Sequence, residues 1–507
     1  MQRLVYTKEW VVAAGWKGIG LLILAAGLWV QGRVASAGPA GGVADTLGGW
    51  TLEQCVRYAL EHNLSLQQGA LQAAGAELDL KSARLAMTPN LNASAGLAYN
   101  NGRAIDPFTN TFIDQTVESN QMGLNGSWLL YQGFQLRHQY LAARLGQGAS
   151  LKEQEALRNT IALSISNAYL QVLLAQELTR VAEEQKNTTQ NQLDRIRILV
   201  SAGSLALENQ FNLEAQLASE EVTLTNALNN SLNARIGLAL LLQLPDPESF
   251  RVAIPDTLKL RGAMLRNQTV PENAQVLYQN AVGRQPQILG NDLRLQQSMA
   301  NYKASLSLYY PRLSAFVNMS TLFASTSQRY TLLPDPGVPR PIGYLLDDPT
   351  KVVVQPVPQY RTELIPRGEQ FRNNLGTGMG LSLSIPIWNN GQVRLAQERA
   401  RNAVELAKVQ SEQGRNQLYS DITRAVTDYK AAQARLQTNR INLNAQEANY
   451  QFAQKRFEEG LLTLADYLNA KNRLQIAESS WLQAYYEELF RLKVLDFYEG
   501  RLSWQNP

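Results

Sequence analysis

The chain has 507 residues, 18% of them charged, and a formal net charge of +4 with neither an acidic nor a basic tail. That balance carries no electrostatic footprint for nucleic acid or an anionic surface. One Cys and two His exclude an intrachain disulfide and a Cys/His metal cluster and leave no obvious nucleophile–base set, so no catalytic residue, cofactor or metal is assigned.

At the N-terminus, Arg3, Lys8 and Lys17 precede an apolar run from Ile19 to Val30, and Ala35-Ser36-Ala37 follows. This is the order of an export signal, so residues 1–37 are predicted to be a cleaved signal peptide and 38–49 a Gly-rich leader. Nothing later approaches 18 consecutive apolar residues, so any membrane the exported chain spans is expected to be crossed by strands. Thr51 with Gln54 three residues on predicts a capped start to two short helices over 51–87, broken near His62-Asn63. Cys55 lies in their amphipathic stretch, where burial is expected. Pro89 then stops the helical pattern.

From Leu91 the period changes to two: Leu91, Ala93, Ala95, Leu97 and Tyr99 share a face, and after a turn-rich segment (100–119) so do Met122, Leu124, Gly126, Trp128 and Leu130. This predicts a β-hairpin over about 90–131, with Gly133 at the passage into a long helical hairpin, about 134–243, turning near Gly203. Ile161, Ile165, Ala168, Val172 and Ala175 give that hairpin a narrow seam. Repeat one therefore covers 50–244, and the proline-rich 245–273 is a joint.

Repeat two, 274–500, says the same again. Gly203 falls on Gly460, Leu207 on Leu464 and Asn212 on Asn469 at an offset of 257, while Pro89 falls on Pro311 and Leu91 on Leu313 at 222. Its hairpin is predicted over about 312–388, with an irregular, Pro-rich loop at 324–370 absorbing the difference in offset. Gly376, Gly378 and Gly380 sit inside a strand and open no helix, so they are not a phosphate loop. Gly391 leads into a second long helical hairpin, about 392–499, turning near Gly460. Tyr99, Trp128, Tyr131, Phe323 and Trp388 stand near strand ends, as interface aromatics do in a transmembrane barrel. Four strands cannot span lipid with free edges, so copies must close the sheet: two would give a filled eight-stranded barrel, three a twelve-stranded barrel with room for a pore.

The ordered set — duplication, export signal, Pro89 and Pro311 at helix–strand junctions, LLYQG and PIWNNG at strand–helix junctions, two glycine tips — resembles the TolC-type outer-membrane efflux proteins over about residues 50–500. The resemblance implies a mainly α chain with transmembrane β, four strands each in a trimeric 12-stranded barrel, continued by an α-helical barrel of long coiled-coil hairpins. It implies an outer-membrane protein of a Gram-negative bacterium reaching into the periplasm. Its partners would be two further copies, outer-membrane lipid, a periplasmic adaptor docking at the tips (Gly203, Leu207, Gly460, Leu464), and an inner-membrane RND, ABC or MFS pump. It places Asp466 and the neutral Asn469 at the periplasmic constriction, with Phe457 and Leu462 where some members carry polar latch groups. The expected function is a passive exit duct, not an enzyme. The alternative is a periplasmic coiled-coil adaptor or scaffold, but two helical hairpins and two amphipathic strand pairs argue against it.

Overall fold

The computed structural model describes residues 49–105, 112–253, 273–334, 337 and 339–500. The signal segment, the leader up to residue 48 and most of the joint lie outside the described residues.

Thr51 caps α1 (Leu52–His62) through the expected reciprocal box with Gln54, and the side chain of Asn63 caps α2 (Leu64–Leu85) by accepting from the Ser65 and Leu66 amides. Pro89 separates α2 from β1 (Asn90–Ile105), which pairs antiparallel with β2 (Phe112–Gln132). The long helix α3 (Gln135–Ser201) and its return α4 (Leu207–Leu241) follow. The order then recurs with α5 (Ala274–Val282), α6 (Pro286–Leu306), β3 (Arg312–Ala324), an insertion, β8 (Gly376–Ser384), α8 (Gln392–Glu458) and α9 (Leu464–Glu499). At 67 residues each, α3 and α8 are about 100 Å long. Among the described residues no helix is long and apolar enough to cross a membrane.

Three expectations are corrected. Residues 100–105 and 112–119 of the turn-rich segment are strand: β1 and β2 remain paired from Asn100↔Val117 to Ile105↔Phe112, and 106–111 lie outside the described residues. Once the ladder exists, each further pair satisfies backbone donors and acceptors, which outweighs the turn preference of Asn100-Asn101-Gly102. The insertion is not irregular either. It holds two ribbons, β4 (Gln328–Leu332) with β7 (Tyr360–Leu364) and β5 (Pro339–Leu345) with β6 (Asp348–Pro356), then the short helix α7 (Arg367–Asn373). Finally, β8 stops at Ser384 instead of reaching Trp388, because Pro386 has no amide hydrogen to donate.

The main sheet has the order β1-β2-β3-β8, so its outer edges, β1 and β8, have no further strand partner among the described residues. Duplication is visible in the core as well. Cys55, Ala59, Leu66, Ile165 and Tyr169 of the first half are buried as are Leu277, Ala281, Ile288, Ile422 and Val426 at the equivalent places of the second. Burial pushes the Cys55 thiol up to about 12, making it an inert packing residue. Phe323 is also buried, under Phe371 and the Arg367 guanidinium of α7, so it is not an exposed interface aromatic. Trp128 is partly exposed and its indole donates to the Met87 carbonyl at 2.9 Å, tying β2 to the end of α2.

Candidate functional site at the helical tips

Both long hairpins turn through the same backbone device. Gly203 and Gly460 adopt φ of +71° and +74°, the left-handed region that only glycine enters freely. The next residue closes each helix: the Ser204 amide donates to Leu199 O at 2.9 Å, and the Leu461 amide to Arg456 O at 2.8 Å. This is the Schellman arrangement, which satisfies carbonyls left open at a helix end. A Cβ at either tip would meet nothing within 4 Å, so the demand for glycine is conformational rather than steric. At the other end of the long helices, Gly133 (φ +53°) and Gly391 (φ +73°) mark the strand-to-helix passages. Gly133 is also sterically required, since a Cβ would lie 2.7 Å from the Tyr310 ring. Pro311 directly follows that ring, between a short 3-10 turn (Ser307–Tyr309) and β3.

The two tips are not separate spikes. Leu193 and Ile196 of α3, Leu213 of α4 and Leu464 and Tyr467 of α9 form one buried cluster, with Phe457 and Leu462 packed onto it. The Phe457 ring stacks on Tyr467 at 4.9 Å, and the Tyr467 hydroxyl accepts from Gln192 at 2.7 Å and pairs with the Tyr450 hydroxyl at 3.0 Å. Where the resemblance anticipates polar latch groups, the structure places an apolar and aromatic cluster. Leu207 and Leu464 align in sequence but not in environment: Leu464 is buried and Leu207 exposed.

Asp466 and Asn469 both lie on the exposed side of α9, one turn apart and opposite the face that buries Leu464 and Tyr467. Asp466 occupies the third helical position, where its carboxylate accepts from the Thr463 hydroxyl at 2.7 Å while its amide donates back at 3.2 Å. A carboxylate there also offsets the positive helix N-terminus. Asp466 is therefore a capping partner that leaves its charge on the surface. Among the described residues no group of His, Cys, Asp or Glu is placed to hold a metal.

Just above the tips lies a polar centre that sequence reasoning missed. Lys471 of α9 and Glu220 of α4 form a buried ion pair at 3.0 Å, with side chains 6% and 3% exposed. Thr189 of α3 bridges them, accepting from Lys471 and donating to Glu220. Lys471 places its third donor on Gln185 O at 3.2 Å, and Glu220 also accepts from Gln216 at 2.9 Å. Burial depresses the Lys471 ammonium below its ordinary value, and Glu220 opposes that fall. The signal was readable as an anomaly: Lys471 stands seven residues after Leu464, on the face that buries Leu464 and Tyr467.

A family model described as "Outer membrane efflux protein" matches residues 56–243 and 277–493, one segment for each half of the fold. The chain belongs to the outer membrane efflux protein family. It is 25% identical over 304 residues to the probable outer membrane lipoprotein SilC of Salmonella typhimurium, a match covering 57% of this chain and 60% of that protein. It is 22% identical over 461 residues to the outer membrane protein TolC of Vibrio cholerae, covering 90% and 92%. The solved structure of the Campylobacter jejuni CmeC outer membrane channel superposes with a TM-score of 0.69 at 17% identity, covering 90% of this chain and 87% of that one. Membership places the chain in the outer membrane as the exit duct of an efflux system, with the duplicated fold described above.

Proposed function

We propose that three copies close their sheets into a 12-stranded barrel and their helices into a periplasmic duct that conducts passively, the energy coming from a partner pump. The carrying observation is that β1 and β8 leave both sheet edges unpaired while every other strand of the sheet is satisfied. In lipid an open edge is not tolerated, and three times four strands gives an interior wide enough to conduct. In this reading the tips around Gly203, Leu207, Gly460 and Leu464 receive a periplasmic adaptor, which couples the duct to an inner-membrane RND, ABC or MFS pump. No bond is made or broken by this chain, and no cofactor is involved.

Asp466 is assigned to the narrowest ring. Its surface-facing carboxylate supports this, and a threefold axis would bring three such charges together, raising the local negative potential. With Asn469 in place of a second carboxylate, the ring holds three charges and selects moderately for cations. Asp466→Asn should lower cation selectivity and weaken block by trivalent cations in planar bilayers, and Asn469→Asp should strengthen both. An unchanged reversal potential and unchanged block in folded Asp466→Asn oligomers would leave Asp466 as a helix cap and no more.

A further inference from the structure

Repeat two carries between its strands something that repeat one lacks. β1 and β2 pair with each other up to Ile105↔Phe112, whereas β3 and β8 are joined through an arm, the ribbon β4–β7 followed by the ribbon β5–β6. The arm is fixed at its base. The Ile365 amide donates to Ser327 O at 3.0 Å, and the buried Gln370 side chain of α7 accepts from the Ala324 amide at 3.0 Å and donates to the Ala324 carbonyl at 3.1 Å. Beyond the first ribbon, the Leu333 amide donates to Gln359 O at 2.9 Å, which carries the ladder one step towards the second. Five residues of β4 and seven of β5 give the arm a reach of roughly 40 Å.

Each ribbon has an apolar and a polar side, because residues paired across the strands, and residues two apart along one, share a face. Leu332, Tyr360 and Leu364 lie on one side of the first ribbon, with Arg329, Arg361 and Glu363 on the other. In the second, Tyr344, Val352 and Val354 share one side, and Arg340, Lys351 and Gln355 the other. Tyr344, Val352 and Val354 are 68%, 47% and 49% exposed. A two-stranded ribbon is marginal by itself in water, and this one leaves bare the face that would stabilise it.

Three features of the arm point to further copies of itself as the cover. The first is position: the arm leaves the end of the sheet opposite Pro311 and Gly391, where the strands meet the helices, so it stands at the mouth of the duct. The second is reach, since twelve strands about 4.8 Å apart and tilted by about 40° enclose a radius of about 12 Å. Each arm therefore extends past the ring axis, where the arms of two other copies meet it. The third is charge. Residues 327–365 hold Arg329, Arg340, Lys351 and Arg361 against Asp335, Asp347, Asp348 and Glu363, a net charge of zero. Three such arms converge without mutual repulsion, and an anionic lipid headgroup finds no net positive charge on them. Pro339, Pro341, Pro349 and Pro356 withhold amide donors, which disfavours edge-to-edge pairing and leaves the face as the contact.

We propose that three arms converge over the mouth of the duct and pack their Tyr344–Val352–Val354 faces together about the threefold axis, as a collar standing beyond the barrel. The partner is a second copy of this chain. The collar joins the copies through an element that neither the sheet edges nor the long helices supply. With the axis occupied, exported molecules leave sideways, between the bases of the arms.

This inference rests on the trimeric reading above, and single cysteines separate the two. Val352→Cys, in the full-length protein treated with a short three-armed maleimide, should give covalent dimers and trimers in SDS. Gln355→Cys on the opposite face, and the parent with its buried Cys55, should stay monomeric in SDS. Tyr344→Cys, which the register places opposite Val352, repeats the test with a different side chain. Native mass of the uncrosslinked protein is measured alongside. A native trimer in which neither Val352→Cys nor Tyr344→Cys links, or in which Gln355→Cys links as well, overturns the collar and leaves the trimeric duct standing. Val352→Cys that is shielded from a water-soluble maleimide yet forms no link shows lipid or another molecule on the face, and also overturns the collar. Covalent dimers from a native dimer keep the contact between arms and overturn the trimeric duct. A native monomer overturns both.

Discussion

Glu220→Gln would leave the Lys471 ammonium buried beside Thr189 and Gln185 without its counter-charge. The pair is 3% and 6% exposed, and every donor of Lys471 is used within the site. Removing one member of such a pair costs about 3–5 kcal/mol, chiefly because the remaining charge has lost its compensation. At about 1.4 kcal/mol per tenfold, hydrogen-exchange protection across residues 467–475 of α9 should fall by roughly a hundredfold to several thousandfold. The loss should depend on pH. Burial already depresses Lys471, and Glu220 is the group holding it up. In Glu220→Gln the folded-state value falls further below the unfolded one. The unfolded chain then binds more protons across that window, so stability recovers as pH rises and Lys471 becomes neutral. The double variant Lys471→Met/Glu220→Leu, which removes both charges and keeps the volume, should return most of the protection. A single variant that exchanges like the parent, or a double variant as poor as the single, would refute the account of the pair as a buried, mutually compensated charge.

Other outcomes follow from the same geometry. Burial first, then the carboxylates of Glu184 and Glu447, hold Glu478 above its usual range, so its ionised form opposes folding at neutral pH and that opposition fades as pH falls through the raised value. Glu478→Gln should therefore raise the melting temperature at about pH 8 and lose the gain towards about pH 5, as read by circular dichroism; a gain independent of pH would point to packing instead. Gly460→Ala should lower stability by about 1–2 kcal/mol and Gly460→Asn by less, in urea midpoints, because the site has room for a Cβ but not a favourable left-handed backbone. Equal losses for both would show that side-chain volume, not φ, sets the requirement. An epitope inserted near Asp335, within the 324–370 segment joining β3 to β8, should be labelled on intact cells; labelling only after outer-membrane permeabilisation would invert the topology.

Much of this fold is legible because its elements are set locally. The period-two alternation in Leu91–Tyr99, the Thr51–Gln54 box and the two tip glycines each act over a few residues, and each occurs in the structure in the form expected. What was not legible depends on distant partners. Asn100-Asn101-Gly102 reads as a turn until β2 is alongside, and Phe323 reads as an interface aromatic until α7 folds over it. The Lys471–Glu220 pair is separated by 251 residues, and only the packing of one hairpin against the other brings it together. Asp466 was legible as a tip residue, but its bond to Thr463 belongs to the cap geometry of α9.

The duplication also weakens along the molecule in a direction that matters for a duct. Near the sheet and the short helices the two halves are close copies, so that Gly69 on Leu157 and Asn291 on Gly414 are one contact made twice. In the proposed trimer, three copies with two near-equal halves would approach sixfold symmetry there, which suits a wall of even thickness. Towards the tips the turns stay alike but the packed side chains diverge: Lys471 corresponds to Glu214, which pairs with Arg197 at 2.9 Å, and Glu220 corresponds to the buried Ala477. The buried Lys471–Glu220 pair pins α9 to the other hairpin rather than to its own partner helix. In the proposed trimer, this pattern leaves threefold order at the tips. In that reading the asymmetry sits where the proposed duct narrows, and the wall above it keeps the repeat.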